Sequence, residues 1–139
     1  MDANISQNAL DRLFSAALEA AVARIEKDGH FHPLLFEQRA DGTIQNVAVL
    51  ETGSIDGAQS VIDRLVDVLR NRGKDGTIRA AAIVIDRHED NAVEVRLRAR
   101  NYSADIRAPY GVETRGLIRR RRELTLGEFS VQTVANDVF

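Results

Sequence analysis

The sequence predicts an α+β fold: a mostly antiparallel sheet of five or six strands, two helices packed on one face, order α-β-β-α-β-β-β-β. Three observations carry this. First, residues 91–101 read Asn-Ala-Val-Glu-Val-Arg-Leu-Arg-Ala-Arg-Asn, with Val93, Val95, Leu97 and Ala99 on one parity and Glu94, Arg96, Arg98 and Arg100 on the other. Successive strand side chains point to opposite faces, so the segment has one apolar and one cationic face. A strand covered on both sides reads as an unbroken apolar run, so this one belongs to an antiparallel sheet with one wet face. Second, two segments repeat apolar residues at three- and four-residue steps, the period of an amphipathic helix. Third, the remaining apolar runs are short and bounded by Gly, Asp and Asn turn signals.

In the first helix the stripe is Leu10, Leu13, Phe14, Ala17, Leu18, Ala21, Val22 and Ile25, with Ser6 or Asn4 as candidate N-cap and Gly29 as candidate C-cap. The stripe is wide, which predicts that this helix lies on a sheet or on a partner. Residues 31–39 and 43–51 predict a hairpin around Asp41-Gly42, with Pro33 at a strand start or edge. Gly53, Ser54 and Asp56 break the pattern and offer a cap to a second helix over 56–71, whose stripe is Ala58, Val61, Ile62, Leu65, Val66 and Leu69. Strand three, residues 78–87, is apolar on both parities and is expected at the sheet centre. A polar turn, His88 to Asn91, leads into the alternating strand. Ala104, Ile106, Ala108 and Tyr110 predict a fifth strand that Pro109-Tyr110-Gly111 ends or kinks, and Gly116 to Leu126 predicts a sixth. Phe129, Val131, Val134, Val138 and Phe139 predict a docked strand or loop rather than a free tail.

The 139 residues are expected to form a single domain, 1–139. The absence of cysteine excludes disulfides, thiolate nucleophiles and cysteine-ligated metal centres. No apolar run approaches the ~18 residues that span a bilayer, and the start Met1-Asp2-Ala3-Asn4 lacks the pattern of a secretory signal. The expected setting is the bacterial cytoplasm, with no membrane partner. The net charge is −2 but unevenly spread: residues 1–75 carry 12 acids and 8 bases, whereas residues 92–122 carry 3 acids and 9 arginines.

Catalytic signatures are sparse. His30 and His32, joined by His88 or Asp90, are weak candidates for a divalent metal, but there is no His-Glu-x-x-His helix. No Gly-x-Ser-x-Gly elbow, phosphate loop or dinucleotide fingerprint occurs. Glu89-Asp90 and Asp63 with Asp67 read as solvated carboxylates offset by Arg64 and Arg70. The arginine group is the strongest candidate site: Arg96, Arg98, Arg100, Arg107, Arg119 and Arg121 form a set suited to an anionic partner. Its plainer reading is a sheet face on which arginines pair with Glu94, Asp105, Glu113 and Glu123 across strands. Nucleic acid is disfavoured: the pI is near 5.9, and only Tyr102 and Tyr110 lie nearby to stack bases.

The order of elements is similar to that of roadblock or longin-like domains, and this likeness of order implies docking of a regulatory protein and dimerisation. The expectation is therefore a non-catalytic binding or scaffold domain, without cofactor, that self-associates or docks an acidic protein. The alternatives are a small enzyme with a site around His30, His32, Asp86 and His88, and a weak nucleic-acid binder through the arginine face.

Overall fold

The structure, a computed structural model, describes residues 5–47, 57–118 and 121–139. The central strand is Ile78–Arg87 (β3), and its apolar residues on both parities decide the architecture. Helix α1 (Gln7–Asp28) leads into strands β1 (Leu34–Arg39) and β2 (Ile44–Val47). Helix α2 (Gly57–Lys74) precedes β3, and β4 (Ala92–Ala99), β5 (Tyr102–Arg115), β6 (Arg121–Leu126) and β7 (Ser130–Thr133) follow. The class and element order are those the sequence predicts. The sheet is antiparallel, ordered β2-β1-β3-β4-β5, and both β6 and β7 pair with β5, making seven strands. No described helix is long and apolar enough to cross a membrane.

The ends of α1 follow from local chemistry. The Ser6 hydroxyl accepts from the Ala9 N–H at 3.2 Å, as an N-cap should. Gly29 has φ 85°, and its N–H donates to the Ile25 carbonyl at 2.8 Å. That left-handed turn costs a β-carbon-free residue nothing. The Gly53 to Asp56 cap expected for α2, and the second strand beyond Val47, lie outside the described residues.

The helices do not share a face, which corrects the sequence expectation. Leu10, Leu13, Ala17, Ala21 and Ile25 of α1 pack with Phe36, Ala82, Val84, Val93, Val95 and Leu97. Ile62, Val66 and Leu69 of α2 pack with Leu35, Ala81, Ile83 and Ile85. Alternate residues of β1 and β3 thus feed two cores on opposite sides of one sheet. The physical reason lies in β3: with both parities apolar, neither face can be left to water.

Strand β5 also runs further than predicted. Pro109, Tyr110 and Gly111 do not end it; there the β4 ladder stops, and β5 runs on paired along its other edge with β6. Ala92 faces Pro109 in the first ladder, and Leu126 faces Tyr110 in the second. Between Tyr110↔Leu126 and Arg107↔Ser130, three steps along β5 meet four along the returning chain. This offset is a bulge at residues 127–129. There the Gly127 N–H donates to the Pro109 carbonyl at 2.7 Å, and proline's missing donor is not needed.

A candidate docking surface

The arginines of β4 lie on the α2 side of the sheet. Cross-strand register sets Arg98 beside Ala81, Arg96 beside Ile83 and Glu94 beside Ile85. This face is not wet as the alternation predicts: Arg98 is 3% exposed and Glu94 7%. The apolar half of the prediction holds, with Val93, Val95, Leu97 and Ala99 all buried. Over Arg98 the difference comes from the chain end, whereas Glu94 is enclosed by Arg87, Arg96 and Arg107. Val138 joins the α2 core, the Asp137 carbonyl accepts from Arg70 Nε at 2.6 Å, and the Asn136 amide donates to the Ala99 carbonyl at 2.7 Å. The tail is docked, as predicted for residues 127–139, and its place is over Arg98.

Buried this way, the charges must neutralise each other. Arg98 contacts Asp137 at 2.6 Å and Asp105 at 2.9 Å. Glu94 lies among three arginines: Arg96 at 2.8 Å, Arg87 at 3.3 Å and Arg107 at 3.5 Å. Burial of Glu94 disfavours its charge, but hydrogen bonds from Arg96 and Arg87 outweigh this and hold its carboxyl below the usual carboxylate range. Under α2, buried Glu37 pairs with Arg72. The expected cross-strand pairing is present for Glu94 with Arg87 and Arg107, for Asp105 with Arg98 and for Glu123 with Arg115, whereas Glu113 pairs with Arg115 of its own strand. Of the six candidate arginines, Arg96, Arg98 and Arg107 are tied to internal carboxylates. Arg100 is exposed after β4, at the opposite end of the sheet from the β5–β6 connection. Arg121 pairs with Glu123 at 3.1 Å on β6, and Arg119 lies outside the described residues.

Beyond Tyr110, β5 and β6 leave the sheet as a two-stranded arm. Residues 111–118 are all exposed. At its end Leu117 and Ile118 are fully exposed, at 104% and 97%. Residues 113–123 carry five arginines and two glutamates. Leu117 and Ile118 fall inside the strand that the sequence predicts over 116–126, whereas they stand between β5 and β6 as surface groups. The available signal was two adjacent aliphatics directly after Gly116 and before an arginine run.

The base of the arm is fastened to α1. Leu124 and Leu126 pack against the α1 core. The Leu124 N–H donates to Glu26 Oε2 at 3.1 Å, and Arg122 Nη1 donates to the Lys27 carbonyl at 3.1 Å. Arg122 thus places a cation and a donor at the negative end of α1, where carbonyls lack helical partners. Beside this seam runs an open groove of about 390 Å³, walled by Leu18, Val22, Ala23 and Leu126 with Glu19 and Glu26 at its rim.

The histidine region is partly assembled. Asp86 Oδ2 accepts from the Phe31 N–H at 3.2 Å, and the Tyr110 hydroxyl lies 3.4 Å from both Asp86 Oδ1 and His88 Nδ1. The rings of His30 and His32 are 6.3 Å apart, and both residues are exposed. Burial, then the nearby Asp86 carboxylate, raises the Tyr110 hydroxyl above its usual pKa. These two contacts of Asp86 link the segment after α1 to β3 and β5. Among the described residues, no group of three or more His, Asp and Glu is arranged to hold a metal ion.

Comparison with protein-family models, curated proteins and solved structures finds no match for this chain.

Proposed function

We propose that this chain is a non-catalytic docking module and that its β5–β6 arm engages an acidic protein surface. The observation that carries the reading is the exposed pair Leu117 and Ile118 at the end of an arginine-rich hairpin. A two-stranded hairpin is marginal by itself, and beyond its base on α1 this one has, among the described residues, no further element packed on its exposed end, residues 115–118. Apolar side chains at its end gain about 25 cal/mol per Å² when a partner covers them. Arginines around such an anchor select an acidic surface and speed encounter. The internal arginines Arg96, Arg98 and Arg107 serve the fold in this reading, and the recognition role passes to the arm. The proposed setting is the cytoplasm, in keeping with a chain that uses no cysteine.

A photo-crosslinking amino acid at position 117, compared with one at Arg100, tests this in cells of the source organism. Protein adducts specific to position 117 support the reading. Equal adducts at both positions, or none, overturn it. Adducts to nucleic acid that vanish steeply with added salt also overturn it, in favour of phosphate recognition.

A further inference from the structure

We infer that the arm's partner is a second copy of this chain, with the apolar tip of one arm seated in the α1 groove of the other. The inference rests on the arm being the docking element and adds what it docks to. Three observations carry it.

The first is complementarity. The groove walls are apolar, and its lining includes two carboxylates, Glu19 and Glu26, and no base. The arm end offers two aliphatic side chains, with five arginines against two glutamates over residues 113–123. Apolar tip meets apolar wall, and cationic flank meets anionic rim, the pattern of electrostatic complementarity between partners.

The second is the shape of α1. Its apolar stripe is wider than the sheet can cover. Leu13, Ala17, Ala21 and Ile25 are buried against the sheet, while Val22 is only half-buried and lines the groove. An amphipathic helix with an uncovered apolar flank has surface left for a partner.

The third is reach. Leu126 walls the groove, and the last paired rung of the arm, Arg115 with Arg121, lies five residues up β6, ~17 Å away at about 3.3 Å per residue, with Leu117 and Ile118 beyond the end of β5. The anchors at Glu26 and Lys27 direct the arm past the C-terminal end of α1. An arm therefore cannot fold back into its own groove. Each copy carries one tip and one groove, so reciprocal seating about a two-fold axis closes a dimer.

Because the chain has no cysteine, single introduced cysteines report the contact cleanly. Chains carrying Leu117→Cys are mixed with tagged chains carrying Val22→Cys and oxidised, with Val68→Cys on α2 as the exposed control. Sedimentation velocity follows the parent chain and Ile118→Asp over a hundredfold range of concentration. The expected results are a parent dimer, a disulfide between positions 117 and 22 well above the control, and self-affinity at least tenfold weaker in Ile118→Asp. A parent that stays monomeric overturns the inference, as does a dimer indifferent to Ile118→Asp or a failure of 117 to cross-link to 22. These failures are separable from failure of the docking reading. A monomer whose position 117 still captures another protein in cells loses only the second-copy inference, whereas a monomer without specific adducts loses both.

Discussion

Arg98 and Asp137 are 39 residues apart in sequence and 2.6 Å apart in space, Nε to Oδ1. This contact converts a strand face that alternation assigns to solvent into an interior. The other donors of Arg98 are also used: Nη1 reaches the Leu97 carbonyl at 3.0 Å and the Ala104 carbonyl at 3.1 Å, and Nη2 lies 2.9 Å from Asp105.

Arg98→Ala is expected to cost about 2–4 kcal/mol, because it leaves carbonyls and two carboxylates without their cation. Asp137→Asn is expected to cost less, about 1 kcal/mol, since Asp105 remains beside Arg98. Arg98→Glu puts a third carboxylate among these acids and should prevent folding, as Leu97→Arg should on the opposite face. Urea denaturation reads all four. An Arg98→Glu chain as stable as the parent would place this side chain in water and remove the tail's role.

Glu94 gives a pH dependence whose sign is fixed. Its folded pKa is depressed, so its contribution is fully present above the unfolded value of about 4.3 and is lost as pH falls through the lower folded value. Melting temperature should therefore fall below about pH 4.3, with a shallower fall in Glu94→Gln. The same variant should be about 1–3 kcal/mol less stable than the parent at neutral pH, because three arginines lose their shared carboxylate. Identical acid limbs for the two chains would show that Glu94 is not held ionised by its neighbours.

The end of α2 and the chain terminus share one space. A β-carbon on Gly73 would sit 3.1 Å from two ring carbons of Phe139. Gly73→Val is expected to push the ring out and cost about 1–3 kcal/mol, despite the gain in helix propensity. In a Phe139→Ala background the same substitution should cost at least 0.5–1 kcal/mol less, by roughly the coupling that contacting residues show. Additive effects in this double-mutant cycle would mean that the tail does not rest on Gly73.

Arg122→Ala should loosen the arm while leaving the core intact. The expected loss in global stability is about 0.3–1 kcal/mol, as for a cation at a helix C-terminus. Amide exchange at Leu124 should accelerate while that at Val84 and Val95 follows only the global change. Unchanged exchange at Leu124 would show that the arm is held by apolar packing alone.

Much of the fold was legible locally. The period of Leu10 to Ile25 and the Ser6 and Gly29 signals identify α1 almost to the residue, because caps and stripes are properties of neighbouring side chains. The predicted strand three, 78–87, has its observed bounds, because a short apolar run holding β-branched Ile83, Val84 and Ile85 between turn residues favours a buried strand over a helix. The candidate site was less legible. Whether Arg98 faces water depends on Asn136, Asp137 and Val138, nearly forty positions away, and no period in β4 carries that information. Leu117 and Ile118 look like strand residues until the β4 ladder stops at Pro109 and leaves β5 and β6 to run on past the sheet.

By itself the sequence determined the elements, their order, the apolar parity of β4 and the lack of thiol chemistry, since each follows from side-chain type and short-range spacing. Only the tertiary structure decided that the helices take opposite faces, that most of the β4 and β5 arginines are spent on internal carboxylates, and that two aliphatic side chains stand in solvent at the end of an arm. Those outcomes depend on which distant segments cover a surface, and burial is a property of the packed chain rather than of any window along it.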